Sequence, residues 1–565
     1  MSEGDRRTRA DATDVQQERR AMRRPAMIVL LIALLTGVFS AVVFFSTRHN
    51  DYPVYFHANS GPQAKEIITS HHNFHQPLLL VTLTKAAVAA TGTAPTSQAV
   101  GEIGNWTAAA LGGLAAAALT LLAFMLRGWL AAACSAVILG LCSPLIYYGH
   151  FFKEDTALAF GVAATFLALG WYWPRRTRWS IALVGAACGL AVAGKYIGIT
   201  AALMALPAVM LARPIARSEA EAEPSITRPR AMRWFGLAML ATFFAVNYEA
   251  LFPLKHFIEG VIYEVFHVTS GESDHGYVEL RRMKPLAKYA QFLAIEMPWT
   301  VTVLAAIGTI AILARWRASS AVEKLMVLFA AAFFLMVTQS TVQQSRHMLP
   351  TWMLLHAIAA YGIVHIVSWR KLGRATPWAL AIALLLPTAY VQWRHVADRV
   401  GEFPRDSRLL MATWIGANLP PGAKIAADTT CGLPDPEAEF HEDEKRTLAC
   451  EVVTSKYAAD LGTLDELLAQ GYTHVAVARK RINQVTSQTR LPVEQERKRH
   501  ERRVEFYRLI LERGQVVWDS HAPGSIAPER GFSGEKLMLI QIASPPDSAA
   551  PGLDGPRGPH PNPPE

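Results

Sequence analysis

Long apolar runs recur over the first 392 positions, each closed by charged or turn-forming residues. Roughly 20 consecutive apolar residues suffice for a helix to cross a bilayer. The first run, 27–46, follows a polar, Arg-rich tail (1–26). It is longer than the apolar part of a signal peptide and no small-residue cleavage site follows, so it reads as a retained anchor. Further spans are expected at 106–126, 129–148, 156–173, 180–194, 196–212, 234–252, 291–314, 325–341, 348–369 and 377–392, which makes about eleven. The apolar stretch 77–90 is too short to span and reads as a helix lying in the interface, with Lys85 reaching the headgroups.

Arginine clusters set the expected orientation, because cytoplasmic loops carry the excess of positive charge. The tail before the first span, Arg127, and the segments 174–178, 213–233, 315–317 and 370–374 fall on one side if the spans alternate. That side is then cytoplasmic, and the loops 47–105, 149–155 and 253–290 face outward. The odd number of spans puts residues 393–545 outside as well. Helical and strand patterns alternate there, as in a small α/β domain. Residues 546–565 are Pro/Gly-rich and read as a disordered tail. The expected class is thus a polytopic α-helical membrane protein with about 11 transmembrane helices and a C-terminal soluble α/β domain. The Ala/Arg-rich style suggests a bacterial inner membrane, with a cytoplasmic N-terminus and a periplasmic C-terminal domain.

Composition narrows the function. With 51% hydrophobic residues and a mean hydropathy of +0.19, the chain is too apolar for a soluble protein of this length. The net charge of +9 resides mostly between apolar runs, where it orients spans, and no basic domain stands apart to bind nucleic acid. The five cysteines contain no C-x-x-C spacing, so no zinc or thioredoxin-like motif is indicated. Cys431 and Cys450 would lie in an oxidising compartment, and the sequence leaves open whether they pair.

Charge at the edge of a membrane span marks either a functional site or a structural ion pair. Asp51 follows the first span and is succeeded by Tyr52, Tyr55 and His57, then by Glu66 and the histidines His71, His72 and His75. These histidines with Glu66 have the chemistry of metal ligands but no recognised spacing, so a divalent cation stays open. The second outer loop, Gly149-His-Phe-Phe-Lys-Glu-Asp155, places Lys153, Glu154 and Asp155 between two spans. It reads equally as a solvated loop with Asp155 capping the next helix. Lys195 breaks two spans in Gly-Lys-Tyr, and Arg346 opens a late span; either is a snorkelling cation or a phosphate ligand. By topology all converge on one face, where a carboxylate can act as general base and cations can hold a phosphate leaving group.

The order of these motifs resembles the GT-C class of membrane glycosyltransferases, in the branch of the protein mannosyltransferases and the bacterial aminoarabinose lipid A transferases. His49-Asn-Asp51-Tyr resembles that branch's acidic motif after the first span, and Phe74-His-Gln-Pro-Leu78 its Lys/His-Pro-Pro-Leu segment. Phe152-Lys-Glu-Asp-Thr-Ala-Leu158 resembles its second acidic loop and Gly189-Leu-Ala-Val-Ala-Gly-Lys-Tyr196 its Gly-Leu…Lys-Tyr pattern. Ser345-Arg-His-Met-Leu-Pro350 and Asp406-Ser-Arg…Asn418-Leu-Pro-Pro-Gly422 resemble later landmarks. The resemblance implies sugar transfer from a polyprenyl-phosphate donor to a glycan, lipid or protein acceptor, with inversion. Asp51 would be the general base, supported by Glu154 or Asp155. Lys195, Arg346 and His75 would face the donor phosphate, and Tyr52, Tyr55 and His57 would bind substrate. No organic cofactor is implied. The chain departs from the pattern at Tyr52, where a second acid is usual, and at Gln76, where a proline is. A transporter or flippase for an anionic lipid or solute is the alternative, and a catalytically dead relative acting through its C-terminal domain is a third.

Overall fold

The computed structural model describes residues 27–45, 60–69, 74–93, 96–212, 227–252, 254–270, 277–279, 285–340, 344–368, 376–434, 448–486, 490–492, 496–523, 525 and 534–543. Asp51, Tyr52, Tyr55, His57, His71 and His72, the N-terminal tail and the Pro-rich tail lie outside them. The chain divides into two compact units, Met1–Pro404 with Thr489–Val493, and Arg405–Gln488 with Glu494–Glu565.

The first unit is helical. Its order is α1 (Met27–Phe45), α2 (Ser60–Thr69), α3 (Leu79–Thr91), α4 (Ser97–Arg127), α5 (Trp129–Gly140), α6 (Ser143–Gly149), α7 (Asp155–Tyr172), α8 (Arg178–Gly194) and α9 (Ile199–Leu211). There follow α10 (Arg228–Val246), α11 (Leu254–Ser270), α12 (Pro285–Glu296), α13 (Trp299–Ala314), α14 (Ala321–Thr338), α15 (Leu349–Ser368) and α16 (Thr376–Val400). One short antiparallel pair joins β1 (Tyr277–Glu279) to β5 (Arg490–Pro492).

The expected spans fall on helical segments but not all on single helices: 129–148 is α5 and α6, bent by 44° at a break, and 291–314 joins the end of α12 to α13 across a bend of 112°. Five helices among the described residues are long and apolar enough to cross a membrane: α1, α4, α7, α14, and α15 with the turn before it. Two bent pairs, α5–α6 and α12–α13, raise this to seven. On α1, Leu30, Leu31, Leu34, Leu35 and Val38 are exposed, a contiguous apolar face that only lipid or a partner helix would solvate. The chain is an integral membrane protein.

Helix contacts are made through small residues, as lipid-embedded helices require. A Cβ on Gly161 of α7 would strike the backbone of Ala191 on α8, and one on Gly308 of α13 would strike Ile358 on α15. The expected interfacial segment is α3, with Leu79, Leu80, Val81 and Thr84 buried. Its Lys85 does not reach for headgroups: it donates to both carboxylate oxygens of Glu249 at 2.9 Å. The expected 253–290 loop contains α11 and the start of α12.

The second unit is the expected α/β domain. Strands β2 (Lys424–Asp428), β3 (Glu451–Ser455), β4 (Tyr472–Ala478), β6 (Gln515–Asp519) and β7 (Leu537–Gln541) form one sheet in the order β3-β2-β4-β7-β6. The first three run parallel, while β7 is antiparallel to β4 and to β6. Helices α17 (Ser407–Asn418), α18 (Leu464–Ala469), α19 (Arg479–Thr486) and α20 (Arg497–Arg513) complete it. Met411, Ile415, Ile425, Val452, Ala476 and Leu539 share its core. Asp428, buried at the end of β2, accepts from the amides of Ala458 (2.7 Å) and Ala478 (2.9 Å) and the Tyr507 hydroxyl (2.8 Å). Burial still pushes its carboxyl up to about 6. Cys431 and Cys450 are both free thiols.

Candidate functional site: a buried charge cluster

Asp155 is the first residue of α7, where the helix dipole favours a carboxylate. The loop before it is fixed by burial. Phe152 is fully buried against Gly104 of α4, at a position where any Cβ would collide with its ring. His150 Nδ1 lies 2.8 Å from the Ile146 carbonyl, and its ring packs on Phe44 and Phe403. The loop is therefore not the solvated tip that its composition also allowed: Lys153, Glu154 and Asp155 are all buried, Asp155 to 1% exposure.

Two cations reach Asp155 from distant parts of the chain. Lys195 leaves the end of α8 in an extended conformation, and its Nζ donates to Asp155 Oδ1 at 2.7 Å. That approach depends on Gly194, where a Cβ would come within 2.6 Å of the backbone of Ala157 and Leu158. Arg346, on the 3-10 turn Ser345–Met348 ahead of α15, brings Nε to 3.6 Å from Asp155 Oδ2. Lys153 Nζ lies 3.7 Å from Glu154 Oε1. Lys153, Lys195 and Arg346 thus gather around the carboxylates of Glu154 and Asp155.

Burial first, and Arg346 next, push the Lys153 ammonium down to about 7, although Glu154 and Asp155 pull the other way. An ordinary lysine titrates near 10.5. Between these values the unfolded chain holds a proton that the folded protein does not, so this group makes stability rise with pH from about 7 to about 10.5. Thermal unfolding in detergent between pH 7 and 10 should show that rise in the native protein and a flatter profile in Lys153→Met. Burial raises the Glu154 carboxyl, but Lys153 and then Lys195 outweigh it and hold Glu154 below the usual range.

A second polar cluster adjoins the first through Ser345. Glu296, 1% exposed at the end of α12, accepts at Oε1 from the Tyr148 hydroxyl (2.7 Å) and the Ser345 hydroxyl (2.6 Å). Arg399 of α16 lies 3.6 Å from the same oxygen and stacks its guanidinium over the Tyr147 ring at 4.0 Å. The sequence pattern singled out Ser345 only as the start of a motif and gave Glu296, Tyr148 and Arg399 no role. The signal was a lone acid inside the apolar run Phe292-Leu-Ala-Ile-Glu-Met297, a placement too costly to be idle.

The Phe74–Leu78 segment is tied to the same region. Tyr196, next to Lys195, donates its hydroxyl to the Phe74 carbonyl at 3.0 Å, and the Leu78 amide donates to Asn247 Oδ1 at 2.6 Å. Phe74 takes φ 51°, a conformation costing on the order of 1–3 kcal/mol that its burial among Leu78, Phe152 and Phe243 offsets. His75 stacks on Tyr263 with ring centroids 4.1 Å apart. The structure thus unites Glu154, Asp155, Lys195 and Arg346. Among the described residues no group of three or more His, Cys, Asp or Glu is arranged to hold a metal ion.

No family model matches the chain, and no curated protein does. Solved structures do. The crystal structure of ArnT from Cupriavidus metallidurans bound to undecaprenyl phosphate aligns over 94% of this chain and 99% of its own, with a TM-score of 0.50 at 13% identity. The chain has the fold of ArnT. The apo ArnT structure aligns at the same TM-score and identity, over 93% of this chain and 98% of ArnT. Archaeal oligosaccharyltransferase AglB from Archaeoglobus fulgidus, in complex with an inhibitory peptide and a dolichol-phosphate, aligns at TM-score 0.47 and 11% identity, over 80% and 69% of the two chains. The alignment with ArnT covers residues of both units of the present chain.

Proposed function

We propose that the protein is an integral-membrane glycosyltransferase that moves a sugar from a polyprenyl-phosphate donor to an acceptor on the outer face of the membrane, with inversion. The observation that carries this is the buried pairing of Lys195 and Arg346 around Asp155, in a chain with the fold of a protein crystallised with undecaprenyl phosphate. Asp51 takes the proton from the acceptor hydroxyl as its oxygen attacks the anomeric carbon. The bond from that carbon to the phosphate oxygen breaks, and polyprenyl phosphate leaves with the electron pair. Lys195 and Arg346 hold the charge that grows on the leaving phosphate, and Asp155 keeps both cations aimed before the donor arrives. Glu154 supports the same array, His75 faces the donor phosphate, and Tyr52, Tyr55 and His57 bind substrate.

Titrating the purified protein with undecaprenyl phosphate tests the phosphate site. Lys195→Met and Arg346→Met should each weaken binding by about tenfold or more, the value of a charge-assisted hydrogen bond. Affinity unchanged in both variants would remove the cluster from the donor site.

A further inference from the structure

A charged cavity lies away from the Asp155 cluster, further along α15. It is bounded by Arg127 at the end of α4, Arg315 just past α13, Glu323 in the first turn of α14, and Tyr361, His365 and Ser368 on α15. The last three fall on one face of α15, spaced by four and three residues. From Arg346 to Tyr361 the chain climbs fifteen residues of helix, about 20 Å at 1.5 Å per residue, so this cavity is separate from the Asp155 cluster.

Its chemistry selects an anion. Glu323 is saturated: Oε1 accepts from Arg127 Nε at 2.6 Å, and Oε2 accepts from Arg127 NH2 at 3.1 Å and from the Ser320 amide at 2.8 Å. Its charge is balanced by Arg127, and its oxygens are occupied by donors, so it offers little to a cation. Arg315 has no carboxylate partner among the described residues, and its side chain is exposed at the cavity. The Tyr361 hydroxyl, on a residue 5% exposed, has no hydrogen-bond partner among the described residues. A buried hydroxyl left unmatched costs roughly 1–3 kcal/mol, which a ligand oxygen would recover. The cavity volume is about 40 Å³. At 10–15 Å³ per water that is room for about three waters.

We propose that this cavity binds a phosphate group, held by the Arg315 and Arg127 guanidinium groups and by a hydrogen bond donated from Tyr361. The phosphate is either the headgroup of an anionic membrane lipid or free inorganic phosphate. Trp316, the residue after Arg315, is an exposed tryptophan of the kind that gathers at the membrane interface, where such headgroups reside.

The test uses the full-length protein in detergent, with phosphatidylglycerol retention read by native mass spectrometry and inorganic phosphate binding read by equilibrium dialysis of the labelled ion. Wild-type protein should retain phosphatidylglycerol over phosphatidylcholine, or bind inorganic phosphate. Arg315→Gln should weaken that binding about tenfold, and Tyr361→Phe, which keeps the ring packing, should weaken it by a smaller factor. Retention that inorganic phosphate does not displace identifies the lipid headgroup, and saturable binding of phosphate alone identifies the free anion; either supports the site. Binding equal in wild type and both variants, or no binding of either probe by wild type, overturns it. Undecaprenyl phosphate affinity in Arg315→Gln should stay at the wild-type value, so this site and the Asp155 site fail independently.

Discussion

Asp155→Asn should lower the turnover of glycosyl transfer by about 10²–10³, the scale of losing one preorganised electrostatic element of an active site, without weakening donor binding. The reason is the geometry of the cluster. Asp155 receives Lys195 at 2.7 Å and faces Arg346 at 3.6 Å, all three buried. In the free enzyme it neutralises and aims them. Asparagine can still accept from Lys195, but it no longer offsets two buried cations. Those cations then attract the donor phosphate at least as strongly, while their positions relax, so kcat should fall and KM for the donor should hold or drop. The same change should destabilise the protein towards the roughly 3–5 kcal/mol that breaking a buried pair costs. Steady-state kinetics and thermal unfolding of the variant check both halves. A rise in KM with kcat unchanged would instead make Asp155 an ordinary binding group.

Glu296→Ala carries the second large effect. Glu296 gathers Tyr148 from α6, Ser345 from the turn before α15, and Arg399 from α16 around one carboxylate. Alanine leaves the Tyr148 and Ser345 hydroxyls without their acceptor and Arg399 with Glu402, at 3.3 Å, as its remaining carboxylate, which predicts a loss of a few kcal/mol, roughly 1–3 kcal/mol for each unmatched hydroxyl. Glu296→Gln keeps an oxygen for both hydroxyls and loses only the charge, so it should fall between wild type and alanine. Because Ser345 precedes Arg346, Glu296 also positions the arginine that the proposed function places at the donor phosphate. Ser345→Ala should therefore raise the donor KM with little change in stability, and its effect should not add to that of Glu296→Gln. Additive effects on KM would reduce Glu296 to a structural tie.

Much of this architecture was legible in the sequence because membrane helices announce themselves by length and apolarity. The α/β domain was legible for a related reason: Lys424–Asp428, Tyr472–Ala478 and Leu537–Gln541 are short runs set off by turns. Harder to see were elements whose pattern is brief or charged. Glu451–Ser455 is a strand whose place in the sheet comes from pairing with β2, and Arg479–Thr486 is a helix with a weak apolar face. The pairing of Lys195 and Arg346 with Asp155 follows from topology only as convergence on one face; that both touch the same carboxylate required Gly194 to let α8 meet α7. Lys85 illustrates the opposite error. Its spacing on a short apolar helix suggested a snorkelling cation, yet Glu249, 164 residues away, is the partner. Local sequence cannot display such long-range partners, and it also let Glu296 pass as one polar residue in an apolar span.

The measurement that bears most directly on the proposed function is transfer of radiolabelled sugar by purified protein supplied with polyprenyl-phosphate donors, run beside Asp51→Asn. Asp51 lies outside the described residues, and its role rests on the resemblance of His49-Asn-Asp51-Tyr to the acidic motif that follows the first span in GT-C enzymes. Transfer or donor hydrolysis by the wild type, falling by about 10²–10⁴ in the variant as expected for loss of a general base, is the predicted result. Tight binding of polyprenyl phosphate with no turnover of any donor would contradict it, and would make the protein a lipid carrier or a catalytically silent relative of the fold.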